Sequence, residues 1–210
     1  MIIRSITVSG EGKVTVRPDT ASLSLGVQSI RPTASDALNR TNASAAALIA
    51  ALKVAGVGDD DIATSGLSIY PQYGSTNNAI TGYQASNNVT VTVRNITEVG
   101  GLIDVVATAT GDSISIGGVS FFVDDTEAVI GMARADAIKN ALKRAGEYAA
   151  AAGVSVGSVQ EISEASISSV VPQMYRTASM AKFGGGGSPT PIEGGTQDLT
   201  VSVTVVYELE

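Results

Sequence analysis

The chain has 210 residues, of which 44% are hydrophobic, 16% charged and 4% aromatic, and it carries a formal net charge of −7. That length buries a core as one domain or two small ones without covalent staples. Cysteine and histidine are absent, which excludes disulfides, thiol nucleophiles, Ser-His triads, histidine-ligated haem and the usual Cys/His zinc sites.

Residues 5–17 alternate through Ile6 and Val8 and resume through Val14 and Val16 after Gly10 and Gly12. The pattern predicts a strand with a glycine-marked bulge or bend. Pro18-Asp19 is a turn signal, and Ala21, Leu23, Leu25 and Val27 alternate as a second strand, so a hairpin is expected. Thr33-x-x-Asp36 approximates a capping box for a helix that Gly56 stops, with Leu38, Ala45, Leu48, Ile49, Leu52 and Ala55 as its apolar stripe. Gly66–Tyr73 and Thr81–Arg94 form another strand pair.

Asn95-x-x-Glu98 caps a short helix that ends at Gly111, and a strand from Ser113 to Val123 follows. Asp124-x-x-Glu127 opens the longest helix, about Thr126–Ala152, closed by Gly153. Its predicted stripe runs from Val129 and Met132 through Ala133, Ala137, Ala141, Leu142 and Ala145 to Tyr148 and Ala149. Strands near Ser158–Ser168 and Gln197–Leu209 finish the chain. The order strand, helix, strand, strand thus occurs at about 20–94 and again at about 113–209, with the short helix between. The expected fold class is α+β, helices on mainly antiparallel sheet, as one domain over 1–210 with two possible internal repeat units.

Candidate chemistry is sparse. Gly10-Glu-Gly12 does not run from a strand into a helix, as a phosphate-binding loop must. Ser179-Met-Ala-Lys182 matches Ser-x-x-Lys, but it lies in a Gly/Pro-rich stretch and no Lys-Thr-Gly strand follows. Asp59-Asp60-Asp61 is the densest acidic cluster and lacks calcium-loop spacing. Arg134, Lys139, Lys143 and Arg144 are interspersed with Asp136 and Glu147 and read as a solvated helix face, so no nucleic-acid partner is expected from this acidic chain. No nucleophile, base and orienting group assemble, and no catalytic residue, metal site or cofactor is expected.

The features that point to contacts are different. Pro172–Gly195 is long and rich in Gly and Pro, yet it carries Met174, Tyr175, Met180 and Phe183. A loop of this kind that holds apolar residues is expected to pack against something, such as a neighbouring subunit. Tyr70, Tyr73 and Tyr83 cluster on the central hairpin as core or interface anchors. The longest apolar run, Ala45–Leu52, falls short of the roughly 20 residues a spanning helix needs. No transmembrane segment is expected, and any membrane association would be peripheral. Met1-Ile-Ile-Arg4 lacks signal-peptide character, leaving a cytoplasmic protein or the mature part of an exported one.

Several short words stand in order along nearly the whole chain: Ile6-Thr-Val-Ser-Gly-Glu-Gly12, Pro18-Asp-Thr-Ala21, Ala51-Leu-Lys-Val-Ala-Gly-Val57, Asp61-Ile-Ala-Thr-Ser65, Tyr70-Pro-Gln-Tyr73, Gly82-Tyr-Gln-Ala-Ser86, Val89-Thr-Val-Thr-Val-Arg94, Ser120-Phe121 and Val203-Thr-Val-Val-Tyr-Glu-Leu209. By these words the chain resembles the SIMPL-domain family of bacterial envelope proteins. The resemblance implies strand-helix-strand-strand units, an exported location in the periplasm or envelope, and ring- or channel-like homo-oligomers associated with envelope and oxidative-stress phenotypes. It implies no catalytic residues. The alternative is a monomeric binding module that presents 172–195 or a sheet edge to another envelope protein.

Overall fold

A computed structural model describes residues 4–74, 79–168, 172–173 and 190–210. The chain divides into two compact units, one formed by residues 1–18, 123–178 and 195–210, the other by 19–122 and 179–194. The segment 19–122 is thus inserted, in sequence, between the first strand of one unit and the long helix of the same unit.

In the first unit, β1 (Ser5–Val16) pairs antiparallel with β8 (Thr196–Leu209), which pairs in turn with β6 (Val156–Ser168) and the two-residue β7 (Pro172–Gln173). The register between β1 and β8 is unbroken from Ser5↔Glu208 to Val16↔Gln197. The bulge expected at Gly10-Glu-Gly12 is therefore not there; the glycines answer to the helix above them. Helix α3 (Glu127–Ala152) lies on this sheet and buries Ala133, Ala137, Ala141, Ala145 and Ala149.

Gly10 and Gly12 face those alanines. A Cβ on Gly10 would sit 2.7 Å from the Ala141 nitrogen, and one on Gly12 would sit 2.5 Å from the Ala137 nitrogen. Helix backbone rests almost directly on strand backbone, which only the pairing of glycine with alanine permits. The buried stripe is accordingly narrower than the sequence predicts: Met132, Leu142 and Tyr148 are exposed. Below the alanines, Val8, Leu199, Val201, Val203, Val205 and Tyr207 complete the core. Along β8 the buried residues Gln197, Leu199, Val201, Val203, Val205 and Tyr207 alternate with half-buried ones.

In the second unit the strand order is β3 (Ile62–Tyr73), β4 (Ile80–Val93), β2 (Thr20–Arg31), β5 (Ile114–Phe122), all antiparallel. Helices α1 (Ala34–Val54) and α2 (Val99–Thr110) supply the other half of a core built on Leu23, Leu25, Val27, Val89 and Val91. Thr33 caps α1 as expected, its hydroxyl accepting from the Asp36 amide at 3.1 Å. At the start of α3 the cap comes from Asp125, whose carboxylate accepts from the Glu127 amide at 3.0 Å. Gly153 ends that helix in the left-handed region at φ 71°.

Two pairings depart from expectation. β1 and β2 belong to different sheets and form no hairpin, because each finds a longer-range partner in β8 or β4. The strand at 113–123 predicted to open the repeat at about 113–209 is hydrogen-bonded to β2 instead. Strand β1 fills the corresponding place: β6-β8-β1 with α3 follows the same order as β3-β4-β2 with α1. Local patterning cannot choose between β1 and β5, since both alternate; the partner decides.

Candidate assembly surface on the sheet edges

An unpaired strand edge presents a row of backbone donors and acceptors to any passing chain, and proteins block such rows or use them. The first unit blocks one. Along the outer edge of β1, the Ser9 and Glu11 carbonyls and the Lys13 amide point the same way, as alternate residues of an antiparallel strand must. Arg144 donates to the Ser9 carbonyl at 2.9 Å and Asn140 to the Glu11 carbonyl at 2.8 Å. The Lys13 amide donates to the Asp136 carboxylate at 3.4 Å. Asp136, Asn140 and Arg144 are spaced four apart, so they form one row along α3, parallel to the edge they serve. The segment that reads as a solvated face thus has a structural duty that helical spacing alone does not reveal.

The same unit is tied by charge at two further points. Lys13 reaches Asp198 at 2.7 Å, and the Thr15 hydroxyl donates to the other Asp198 oxygen at 2.6 Å. These hydrogen bonds hold the Asp198 carboxyl below its ordinary range. Arg134 on α3 forks onto Glu164 on β6 at 2.7 and 3.1 Å, which lowers the Glu164 carboxyl likewise.

Among the described residues the second unit leaves an edge open. β3 is the outermost strand, and the Thr81 hydroxyl that donates to its Gln72 carbonyl at 3.2 Å comes from its own hairpin. It also carries apolar side chains on both faces. Leu67, Ile69 and Tyr73 alternate on one face and are 60%, 41% and 56% exposed; Tyr70 on the other is 63% exposed. Tyr70, Gln84 and Ile30 stand in one row across three strands, with Ile30 also exposed. Gln28, Gln84 and Gln72 lace that face together at 2.9 and 3.0 Å.

Of the residues singled out in the sequence, Tyr70 and Tyr73 therefore lie on exposed hairpin surface, while Tyr83 is half-buried opposite Pro71. Leu67, Ile69 and Ile30 belong with the exposed pair and were not singled out. Their signal is an apolar residue on both sides of the alternation, at 67, 69, 70 and 73, which a strand with one buried face does not show. Met174, Tyr175, Met180 and Phe183 lie outside the described residues, as do Ser179 and Lys182.

The acidic cluster does not converge. Asp59, Asp60 and Asp61 form one 3-10 turn in which Asp59 pairs with Lys53 at 2.8 Å and Asp61 with Arg94 at 2.9 Å. Among the described residues no three carboxylates are placed to share a metal ion. No described helix is long and apolar enough to cross a membrane.

Known proteins give this architecture relatives. The chain is 36% identical to the 26 kDa periplasmic immunogenic proteins of Brucella melitensis biotype 1 and Brucella abortus strain S19, over 98% of this chain and 84% of each of theirs. It is 28% identical to the uncharacterized protein YggE of Edwardsiella ictaluri, over 75% of this chain and 66% of that one. The model of the SIMPL family, described as a protein of unknown function (DUF541), matches residues 6–207, and the chain belongs to that family.

Proposed function

We propose that this chain is a non-enzymatic periplasmic protein that acts as a homo-oligomer, ring- or channel-like, in the service of envelope or oxidative-stress protection, with copies joined through the β3 edge. The periplasmic assignment rests on the names of the Brucella relatives, which match nearly the whole chain. The observation that carries the assembly is the contrast between two edges. β1 is closed by Asp136, Asn140 and Arg144, whereas β3 is an edge strand among the described residues and is flanked by Leu67, Ile69, Tyr70 and Tyr73. An open edge with apolar flanks on both faces supports strand-to-strand pairing with side-chain burial on either side.

Light scattering coupled to size exclusion, at low and high salt, tests this. The expected result is a discrete mass of several multiples of 21.2 kDa, reduced in a Leu67→Lys/Ile69→Lys variant, because edge lysines oppose pairing. A clean monomer at both salts overturns it. The same edge would then serve a monomeric adaptor, and a pull-down recovering one stoichiometric envelope partner would identify that role.

A further inference from the structure

A cleft of about 560 Å³ opens in the second unit between the end of α1, the end of β4 and the first turns of α2. One side of its wall is apolar, with Val57, Leu102 and Val105 among its residues. Val57 and Leu102 belong to the core behind the cleft, while Val105 is 43% exposed. The volume falls within the range of small-molecule sites, which are mostly apolar with a few placed polar groups.

Gly101 lines the cleft. It lies in the first turn of α2, where glycine weakens a helix relative to alanine. Its neighbour Gly100 has a packing reason, since a Cβ there would collide with the Thr190 carbonyl. Gly101 has none: a Cβ there would meet nothing within 4 Å. The glycine leaves bare backbone on the cleft lining and keeps the space above it open.

The polar side of the cleft carries both charge signs. Arg94 forks onto Asp61 at 2.9 and 3.4 Å, and the Asn95 amide donates to Glu98 at 2.8 Å. Asn95 is itself held by accepting from the Thr97 amide at 3.2 Å. A cleft lined by the Arg94–Asp61 pair and by Glu98 suits a head group that also bears both signs, since a purely anionic or cationic head would meet repulsion from one of them.

We propose that this cleft binds a small zwitterion with a large apolar side chain, of free amino-acid chemistry. The side chain lies over Gly101 between Val57 and Val105, the carboxylate lies towards Arg94, and the ammonium group towards Glu98 and Asp61. The site lies wholly within one unit and does not depend on the oligomeric reading.

The chain contains no tryptophan, so L-tryptophan is a probe whose emission and polarisation are read against tyrosine alone. Saturable binding is expected, weakened about tenfold or more by Gly101→Leu, which fills the space. Val105→Glu, at an exposed position that folding tolerates, should weaken it comparably. Indole, which lacks the head group, should bind more weakly than tryptophan and be indifferent to Arg94→Gln, whereas tryptophan should lose most of its advantage in that variant. Absence of saturable binding up to millimolar tryptophan overturns the site, as does unchanged binding in both Gly101→Leu and Val105→Glu. Equal affinity for indole and tryptophan overturns the zwitterion. The light-scattering mass of each variant, measured alongside, keeps loss of binding separate from loss of assembly.

Discussion

A Cβ added to Gly12 would lie 2.5 Å from the backbone nitrogen of Ala137, so strand and helix meet there backbone to backbone. Nothing flexible stands between them that could yield. Gly12→Val is therefore expected to lift α3 from β1 and destabilise the protein by about 3 kcal/mol or more, an overpacking penalty compounded by the loss of the alanine contacts. Gly146 lies on the same helix, and a Cβ there would meet nothing within 4 Å. Gly146→Ala should stabilise by about 0.5–1 kcal/mol through helix propensity. Urea unfolding of the two variants checks both signs; a neutral Gly12→Val would refute the close approach.

Closure of the β1 edge predicts a gain of association when it is undone. In an Asn140→Ala/Arg144→Ala variant the Ser9 and Glu11 carbonyls lose their side-chain donors. The loss in stability should be modest, about 1–2 kcal/mol for two exposed hydrogen bonds. The larger effect should be on association, because a strand edge facing solvent pairs with other chains. Light scattering against concentration is the measurement, and the variant should show higher, less discrete masses than the parent. A variant that keeps the parental mass distribution would show that α3 does not guard this edge.

How much of this was legible in the sequence depended on the range of the cause. Thr33, Gly56 and Gly153 mark helix ends through contacts a few residues away, and each was readable. The alternation of Leu199, Val201, Val203 and Val205 is readable because α3 covers one face of β8. The partner of β1 was not, since Ser5 pairs with Glu208 and no local pattern encodes that separation. Gly10 and Gly12 were visible as an anomaly, but a strand glycine signals a bulge or a close approach equally well. Only α3 decides between them. The exposed hairpin residues divide the same way: the tyrosines stand out as rare aromatics, while the exposure of Leu67 and Ile69 depends on β3 lying at the sheet edge.

The first unit should be acid-labile at two identifiable points. Asp198, through Lys13 and Thr15, and Glu164, through Arg134, both have carboxyls held below their ordinary values. Below about pH 4 the unfolded chain takes up protons that the folded chain still refuses, so stability falls as pH drops through the lowered folded values, and is fully present above about pH 5. Asp198→Asn should lower the melting temperature at neutral pH and flatten its decline on acidification. At the alkaline end the sign reverses. Burial raises the Tyr207 phenol, so above about pH 10 the unfolded chain ionises first and stability falls as pH rises. Tyr207→Phe should flatten that alkaline decline, and melting temperature against pH tests both limbs.

The seat of α1 on its sheet rests on a small hydroxyl cluster with too few protons. Ser29 donates to the Ala37 carbonyl at 2.8 Å and Thr41 to the Ala85 carbonyl at 3.1 Å, while the two hydroxyl oxygens stand 2.9 Å apart. Two hydroxyl protons thus face three short contacts, so one contact lacks a proton at any moment. Thr41 is fully buried and Ser29 nearly so. Thr41→Val keeps the shape, removes one proton and leaves the Ser29 hydroxyl to serve only the Ala37 carbonyl. Because that change also relieves the Oγ–Oγ contact, its cost should lie near about 1 kcal/mol, the worth of one net hydrogen bond. Ser29→Ala together with Thr41→Val should cost less than the sum of the two single changes, because each removes the other's unprotonated neighbour. Urea unfolding of the four proteins in the cycle reads the coupling directly, and strict additivity would show that the three contacts are independent.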